Sequence, residues 1–453
     1  MNAGCVVIGG GMAGMVAARR LQQLGVSVVL VEKGTENGGL GNAAISGGLI
    51  HIAWEPPDAP YDRKRRRLEE ETDGEIEPEL ADALAAVSGE IIPWLLEEGV
   101  EMRQKTEAAY AKWTLHPFRL GTGRRLAWNL GPGRALARLY ASFKRDGGHV
   151  VAGAAASELA REGGGWRVGY RSASNGGYVT APTVVVADGG FQANREMLAR
   201  YVGPNAGLCL LRAATTGTGD GLRMLLGLGA AAAGLGRVYG HIVSRGALSS
   251  DELWPFPHLD ELCLEGVLVD RRGVLWPVHG GTVVALVTQL ARSEDPRGFT
   301  VVVDQDLWET TGRHDPFHMA AANPDVASRG GPLLEAPTLE ELADRMTVPR
   351  MQLARAVNQH ATQPDKRPLG VGPYYAAPAL PGITFTMGGP AIDAQAAVRD
   401  RDGGRMPGIF AAGSTVGGIH GGPNGGYVGG LGVAATLGYI AAGSAAERVR
   451  KGG

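Results

Sequence analysis

The sequence predicts an α/β protein in which a Rossmann-like domain is interrupted by an α+β capping domain. Three observations carry that expectation. Residues 5–33, CVVIGGGMAGMVAARRLQQLGVSVVLVEK, read as strand, glycine turn, helix and strand in immediate succession. Glycine, at 71 of 453 residues, gathers in clusters with no collagen-like period, which suggests repeated close approach of backbone to a large ligand. From about residue 237 the pattern turns to mixed helices and strands. PGIFAAG then restores a buried strand, followed by glycines and a final helix. The expected units are 1–236, an inserted 237–384, and 385–453.

Composition limits the class of function. The net charge of −2 and 20% charged residues give no electrostatic reason to expect nucleic acid or anionic membrane as a partner. The one basic run, KRRR at 64–67, is followed at once by LEEETDGEIE, which reads as a solvated helix or loop. Cys5, Cys209 and Cys263 are far apart and form no CxxC pair or zinc spacing, so neither a metal site nor a disulfide is expected and a reducing cytoplasm fits. The apolar run begins almost at Met1 and leads straight into GGG, so no signal peptide is expected. LLGLGAAAAGLG is too short and glycine-broken to span a membrane.

The first unit is specific. The strand Cys5–Ile8 meets Gly9-x-Gly11-x-x-Gly14, a helix follows with Met15, Ala18 and Leu21 on one face, and a second strand ends at Glu32. Gly9 permits the tight turn, Gly11 lets backbone reach a pyrophosphate, and Gly14 lets helix and strand pack closely. The helix N-terminus favours phosphate, and Glu32 stands where a carboxylate accepts from ribose hydroxyls. A second glycine-rich segment, ENGGLGNAAISGGLIH, follows directly. A nicotinamide dinucleotide does not need it. An extended FAD does, with Asn42 and Ser46 placed to hydrogen-bond its phosphate and ribityl regions and Gly47 and Gly48 placed to lie against the ring.

On these residues the chain resembles the FAD-dependent fumarate reductase/succinate dehydrogenase flavoprotein superfamily, with its GR2-type FAD-binding domain. It looks closest to the branch of 3-ketosteroid Δ1-dehydrogenases and tricarballylate dehydrogenase-like enzymes. The motifs stand in the family's order: GGGMAG, GGLGNAAISGG, VVVADGGF, TGTGDG, FTMGGPAID and PGIFAAGSTVGGIHGGPNGGYVGGLG. The resemblance implies that FAD is also met by Met12, Ala13, Lys33, Gly39 and Ala156, and by Asp188, Gly189 and Gly190 of VVVADGGF. Asp220 reads either as the N-cap of a helix 221–228 or as a contact near the cofactor. Gly413 ends a strand, and Ser414 stands where the family has glutamate. Gly430, Leu431 and Gly432 would pack against the flavin, with helix N–H groups stabilising negative charge on reduction. No histidine lies in Asn42–Ser46, where the family carries its covalent attachment, so non-covalent FAD is expected.

The substrate side departs from the dicarboxylate pattern. The family's Q-x-H-P-T appears as VYGHIVS, which keeps His241 but not the proline. Phe385 replaces a carboxylate-binding histidine. His420-Gly-Gly-Pro-Asn424-Gly-Gly-Tyr427 lacks the clamping arginine and brings in Tyr427 beside its position. The segment matching the catalytic arginine, LWPVHGGTVVALV, offers only His279. A dicarboxylate would be poorly paired there, and a neutral or mono-anionic, apolar substrate fits better.

Tyr427 is the leading proton-transfer candidate, with packing on the flavin edge its plainer reading. His241, His279 and His51 are catalytic candidates, each with a structural alternative. His420 can be structural, and Tyr110 and Trp113 can line the pocket or pack in it. Tyr374 and Tyr375 read as strand-edge packing. The expected activity is an FAD-dependent oxidoreductase acting on a C–C bond beside a carbonyl of a cyclic or hydrophobic small-molecule substrate. Hydride passes to flavin N5 with a protein acid/base, and electrons are exchanged with a partner the sequence does not name. The alternatives are a non-redox FAD-dependent lyase or isomerase, a fumarate-type dicarboxylate enzyme, and a flavin-binding protein without catalysis.

Overall fold

The computed structural model describes residues 1–34, 41–105, 108–117, 130–173, 175–279, 281–312, 325–422 and 424–452. Its organising sheet runs, from edge to edge, Ala397–Arg399, Arg405–Ala411, Thr183–Val186, Cys5–Ile8, Val28–Glu32 and His149–Ala152. All neighbours are parallel except the first pair, an antiparallel edge. The central strands carry continuous apolar runs, CVVI, VVLVE and TVVV, because both faces are covered and no polar alternation is tolerated.

The helix Met12–Gln23 follows the first strand directly and buries Met15, Ala18 and Leu21, as the spacing predicts. Gly14 makes that junction possible, since a Cβ there would stand 1.8 Å from Gly9 O. The C-terminal helix Leu431–Arg450 lies against the same helix. A Cβ on Gly438 would stand 2.3 Å from Ala13 O, so the two helices meet backbone to backbone. A three-stranded antiparallel meander, Ala154–Glu162, Gly165–Ser172 and Gly176–Ala181, connects the third parallel strand to the fourth.

A second sheet is built on one long strand, Tyr374–Thr386. It pairs with Val238–Ser244, Thr300–Asp304 and Leu334–Ala336 antiparallel, and with Leu210–Leu211 parallel. This layer has its own core, which gathers Phe191, Ile242, Leu286, Phe299 and Ile383. The strand over GFTVVVDQD, the helix Val283–Ala291 and the helix pair Leu339–Met346 and Arg350–Ala361, with Pro349 between them, form as the sequence patterns indicate. The basic run lies in the helix Tyr61–Glu71, where Arg65 and Arg67 pair with Glu69 and Glu71 one turn on, while Lys64 is buried and donates to Pro57 O and Ser88 Oγ. Among the described residues no helix is long and apolar enough to cross a membrane.

Candidate active site

A cavity of about 940 Å³ runs from the first glycine turn to the mouth of the second sheet. At its nucleotide end the wall is backbone. Gly9 has φ +98°, and a Cβ there would strike Ala187 O at 2.5 Å, so only glycine makes this turn. Gly11 differs: a Cβ would meet no atom of the described residues within 4 Å, so the space beside it is open to the cavity. Gly11 is also the N-cap of Met12–Gln23, which has no side-chain cap and no acidic residue in its first turn. Its leading N–H groups are left for an anion. Gly430 caps the C-terminal helix in the same uncapped way, with Gly429 and Leu431 beside it on the wall. Glu32, at the end of its strand, accepts from Gly10 N and from Gly34 N at 2.6 Å and still faces the cavity. Asp188 Oδ1 and Gln192 Oε1 are buried at the cavity with no hydrogen-bond partner among the described residues. This set fits a dinucleotide.

Lys33, Asp188 and Asp220 form one charged group at this end. Lys33 Nζ stands 2.5 Å from Asp220 Oδ2 and donates to Thr216 O at 2.9 Å. Asp220 is not an N-cap. The helix runs Asp220–Gly227 and starts from Gly219 in a left-handed conformation, and Asp188 Oδ2 accepts from Gly221 N at 2.7 Å. The cap thus comes from another element, which no local sequence pattern shows. Burial pushes the Asp188 carboxyl up to about 6, against the Gly221 bond and the nearby Lys33, which lower it.

The substrate end is built from side chains. Tyr239 OH lies 3.0 Å from His241 Nε2, and His241 Nδ1 lies 2.6 Å from Asp260 Oδ2. The second oxygen of Asp260 accepts from Ile242 N at 2.6 Å. The carboxylate fixes the proton of His241 on Nδ1, so Nε2 accepts from the tyrosine. Tyr427 stacks on Tyr239 with ring centroids 4.1 Å apart, close enough that each hydroxyl shifts the other's pKa. The result is a file Tyr427–Tyr239–His241–Asp260. Burial pushes the Tyr239 phenol up to about 12, and burial together with Tyr239 pushes Tyr427 well above its ordinary range. Burial holds His241 below 6.5, with Asp260 pulling the other way. Beside the file, His258 stacks on His241 at 3.9 Å and accepts from Arg212 Nη2 at 2.9 Å. His241, His258 and Asp260 place ligand atoms within 4.8 Å of one another, but the guanidinium bonded to His258 opposes a metal cation there.

His51 and His420 stand by the same tyrosine. His51 Nδ1 accepts from Trp54 N at 3.3 Å, and burial takes its pKa down to about 4. His420 Nδ1 accepts from Val428 N at 3.2 Å, and burial takes it down to about 3. Both are therefore neutral, with the proton on Nε2. Ala53 and Trp54 hold φ of 46° and 64°, at a cost of about 1–2 kcal/mol each. The Ala53 N–H to Val428 O bond at 2.7 Å and the Trp54–His51 stack at 4.9 Å hold them there.

Among the expected residues, Gly9, Gly11, Met12, Ala13, Glu32, Lys33, Asn42, Ser46, Gly47, Gly48, Ala156, Asp188, Gly189, Asp220, Gly413, Ser414, Gly430, Leu431, His51, His241 and Tyr427 line the cavity. Several expectations need correction. Gly190 sits behind the wall, where a Cβ would meet Thr386 Oγ1 at 2.2 Å, and Gly432 packs on His51 O at 2.3 Å in the same test. Asn42 reaches the cavity, but its amide is held at both ends by protein, donating to Thr384 O at 2.5 Å and accepting from Ala214 N at 2.7 Å. His279 is on an exposed loop, tied to Gln289, and contributes nothing to the cavity. Its segment turns outward before Thr282 caps the helix Val283–Ala291. Gly39 lies outside the described residues. Tyr110 lines the cavity, and Phe385 packs near Tyr239. Tyr375 stacks on Trp308, as a packing role requires.

The sequence reading missed Tyr239, Asp260, His258 and Arg212. The first was available: Tyr239 is two residues before His241, on the same face of a strand. Arg212 corrects the expectation of a site without arginine, because it enters from a segment just before TGTGDG that carries no family motif.

The FAD binding domain family model matches residues 4–427. A probable fumarate reductase of Shewanella frigidimarina (strain NCIMB 400) is 26% identical over 454 residues, covering 92% of this chain and 70% of that protein. The 4-oxocyclohexanecarboxylate 2-dehydrogenase of Sinomonas cyclohexanicum is 27% identical, covering 96% of this chain and 91% of that protein. The solved 3-ketosteroid delta1-dehydrogenase of Sterolibacterium denitrificans shares the fold, with a TM-score of 0.74 at 18% identity, covering 98% of this chain and 99% of that one. With a backbone cradle built for a dinucleotide and a family match over nearly its whole length, the chain belongs to the FAD binding domain family and is an FAD-dependent oxidoreductase.

Proposed function

We propose that the protein interconverts a saturated carbonyl compound and its α,β-unsaturated form, on a cyclic, largely apolar substrate. The observation that carries this is the Tyr427–Tyr239–His241–Asp260 file at the aromatic end of the cavity. Bound FAD supplies the two-electron acceptor or donor for the Cβ hydrogen. The chain's own residues move the proton. In desaturation the Cα proton passes to Tyr427 as Tyr427 yields its own to Tyr239 and Tyr239 yields to His241 Nε2. Asp260 stabilises the imidazolium that forms, as the carboxylate does in a serine-protease triad. In reduction the same file runs backwards. Neutral His51 and His420 each keep an Nε2–H donor for a carbonyl oxygen.

The long-chain relatives support the reading, since one acts on a cyclic oxo acid. FAD is held without a covalent bond on this reading, because Asn42–Ser46 offers no histidine. On the same reading residues 237–384, which supply most of the second sheet and its helices, act as the cap between the two parts of the FAD-binding domain. Three free cysteines fit a reducing, cytoplasmic setting, with electrons exchanged through a separate carrier or oxygen. The test is the anaerobic flavin spectrum on mixing with saturated cyclic ketones and keto acids or with succinate. Bleaching by cyclic carbonyl compounds and not by succinate is expected. Bleaching by succinate alone assigns the enzyme to the dicarboxylate class. Turnover with no electron acceptor assigns it to non-redox chemistry.

A further inference from the structure

We infer that Arg212 anchors a carboxylate of the substrate, so that the substrate is a carbonyl compound bearing a single carboxylate. This rests on the proposed function and names the substrate class of the same site.

Arg212 is 9% exposed and lines the substrate end of the cavity. A buried guanidinium is normally paired with a carboxylate, since an unpaired buried charge is costly. Here all three of its hydrogen bonds go to neutral acceptors: Pro255 O at 3.0 Å, Thr384 Oγ1 at 2.8 Å and His258 Nε2 at 2.9 Å. That leaves two of the five N–H groups unspent. Asp260 is near enough to be felt, but its two oxygens are spent on His241 and Ile242. Burial pulls the guanidinium pKa down, yet Arg stays charged in proteins. Phe256, with its ring 5.2 Å from the guanidinium carbon, walls one side and leaves the cavity as the open direction.

The count of anions follows from the count of cations. Among the described lining residues the only cations are Lys33, already paired with Asp220 at the nucleotide end, and Arg212. Glu265 also lines the cavity, and its charge disfavours a second carboxylate. Tyr427 stands beside the place where a dicarboxylate enzyme keeps its clamping arginine. Arg212 supplies a single cation from a different segment, near the proton file: its charge lowers the Tyr239 phenol against the larger effect of burial.

The experiment titrates FAD-loaded enzyme with cyclohexanecarboxylate and with cyclohexanecarboxamide, read by perturbation of the oxidised flavin spectrum. The wild type is expected to bind the carboxylate at least about tenfold tighter than the amide. Arg212→Met is expected to weaken the carboxylate about 10- to 100-fold and leave the amide unchanged, with partial recovery in Arg212→Lys. Equal binding of the two ligands by wild type, no binding of the carboxylate, or equal weakening of both by Arg212→Met overturns the inference. Equal weakening would make Arg212 a positioning residue for His258 and Thr384. If Arg212→Met does not retain FAD, the wild-type pair alone decides. Binding without turnover separates this from the proposed reaction. Neutral ketones that bleach the flavin while the carboxylate fails to bind sink the anchor and leave the reaction standing. Carboxylate binding with no carbonyl compound bleaching the flavin does the reverse.

Discussion

The two ends of the cavity are made of different material. The nucleotide end is largely backbone: glycines at fixed spacing and two uncapped helix starts, with Glu32 at a strand end and the Lys33–Asp188–Asp220 group beside them. The substrate end is side chain: two stacked tyrosines, four histidines, an aspartate and an arginine, drawn from separate segments. Backbone sites follow from local geometry and tolerate little change. Side-chain sites are assembled by the tertiary fold, and their chemistry changes with single residues.

The contrast is most sharply tested at the proton file. Tyr427→Phe and His241→Ala are each expected to lower the rate of flavin reduction by substrate roughly 100- to 10,000-fold while FAD content stays unchanged. A variant that loses FAD as well would show that the two ends are not separate. At the cradle, Gly11→Ala and Gly14→Ala should diverge. Gly11→Ala adds a methyl into open space, so the apoprotein keeps its thermal midpoint and FAD affinity falls at least about tenfold. Gly14→Ala drives a Cβ onto Gly9 O, so the midpoint itself falls. Calorimetry of the apoproteins beside FAD titration checks both.

Acid should act on the substrate end. His51 and His420, with pKa values held near 4 and 3, bind protons more weakly folded than unfolded, where the value is about 6.5. Their neutral burial is free of penalty above pH 6.5, and stability is lost as pH falls from there toward 4, by up to about 1.4 kcal/mol per histidine per pH unit. Denaturant midpoints between pH 7 and 4.5 should fall accordingly, and His420→Gln should flatten the slope. The smallest effect is expected at His279→Ala, which should leave substrate reduction of the flavin unchanged within twofold.

How much could be read in the sequence follows the same division. The strand–turn–helix of residues 5–32 and the C-terminal return were legible because their constraints are local: a glycine where φ is positive, an apolar run where two sheet faces are covered. His241 and Tyr427 were legible through their motifs. Asp260 and His258 were not, because they lie in a segment after a proline-rich turn and meet His241 only across the fold. Arg212 carried no local signal. Asp220 misled for a related reason: its helix is capped by Asp188, 32 residues earlier in the chain.

Thr384, in the long strand of the second sheet, carries a consequence for mechanics. Its carbonyl accepts from Asn42, which opens the short helix Asn42–Ile45 of the second glycine-rich segment, and its hydroxyl accepts from Arg212. One residue thus acts as a gauge between that segment and the cation at the far end. The spacing between them is set by the bond lengths of a single threonine and not by the packing of two layers. Any swing of the second sheet that carries Thr384 away from that segment must break one of these bonds or drag Arg212 with it.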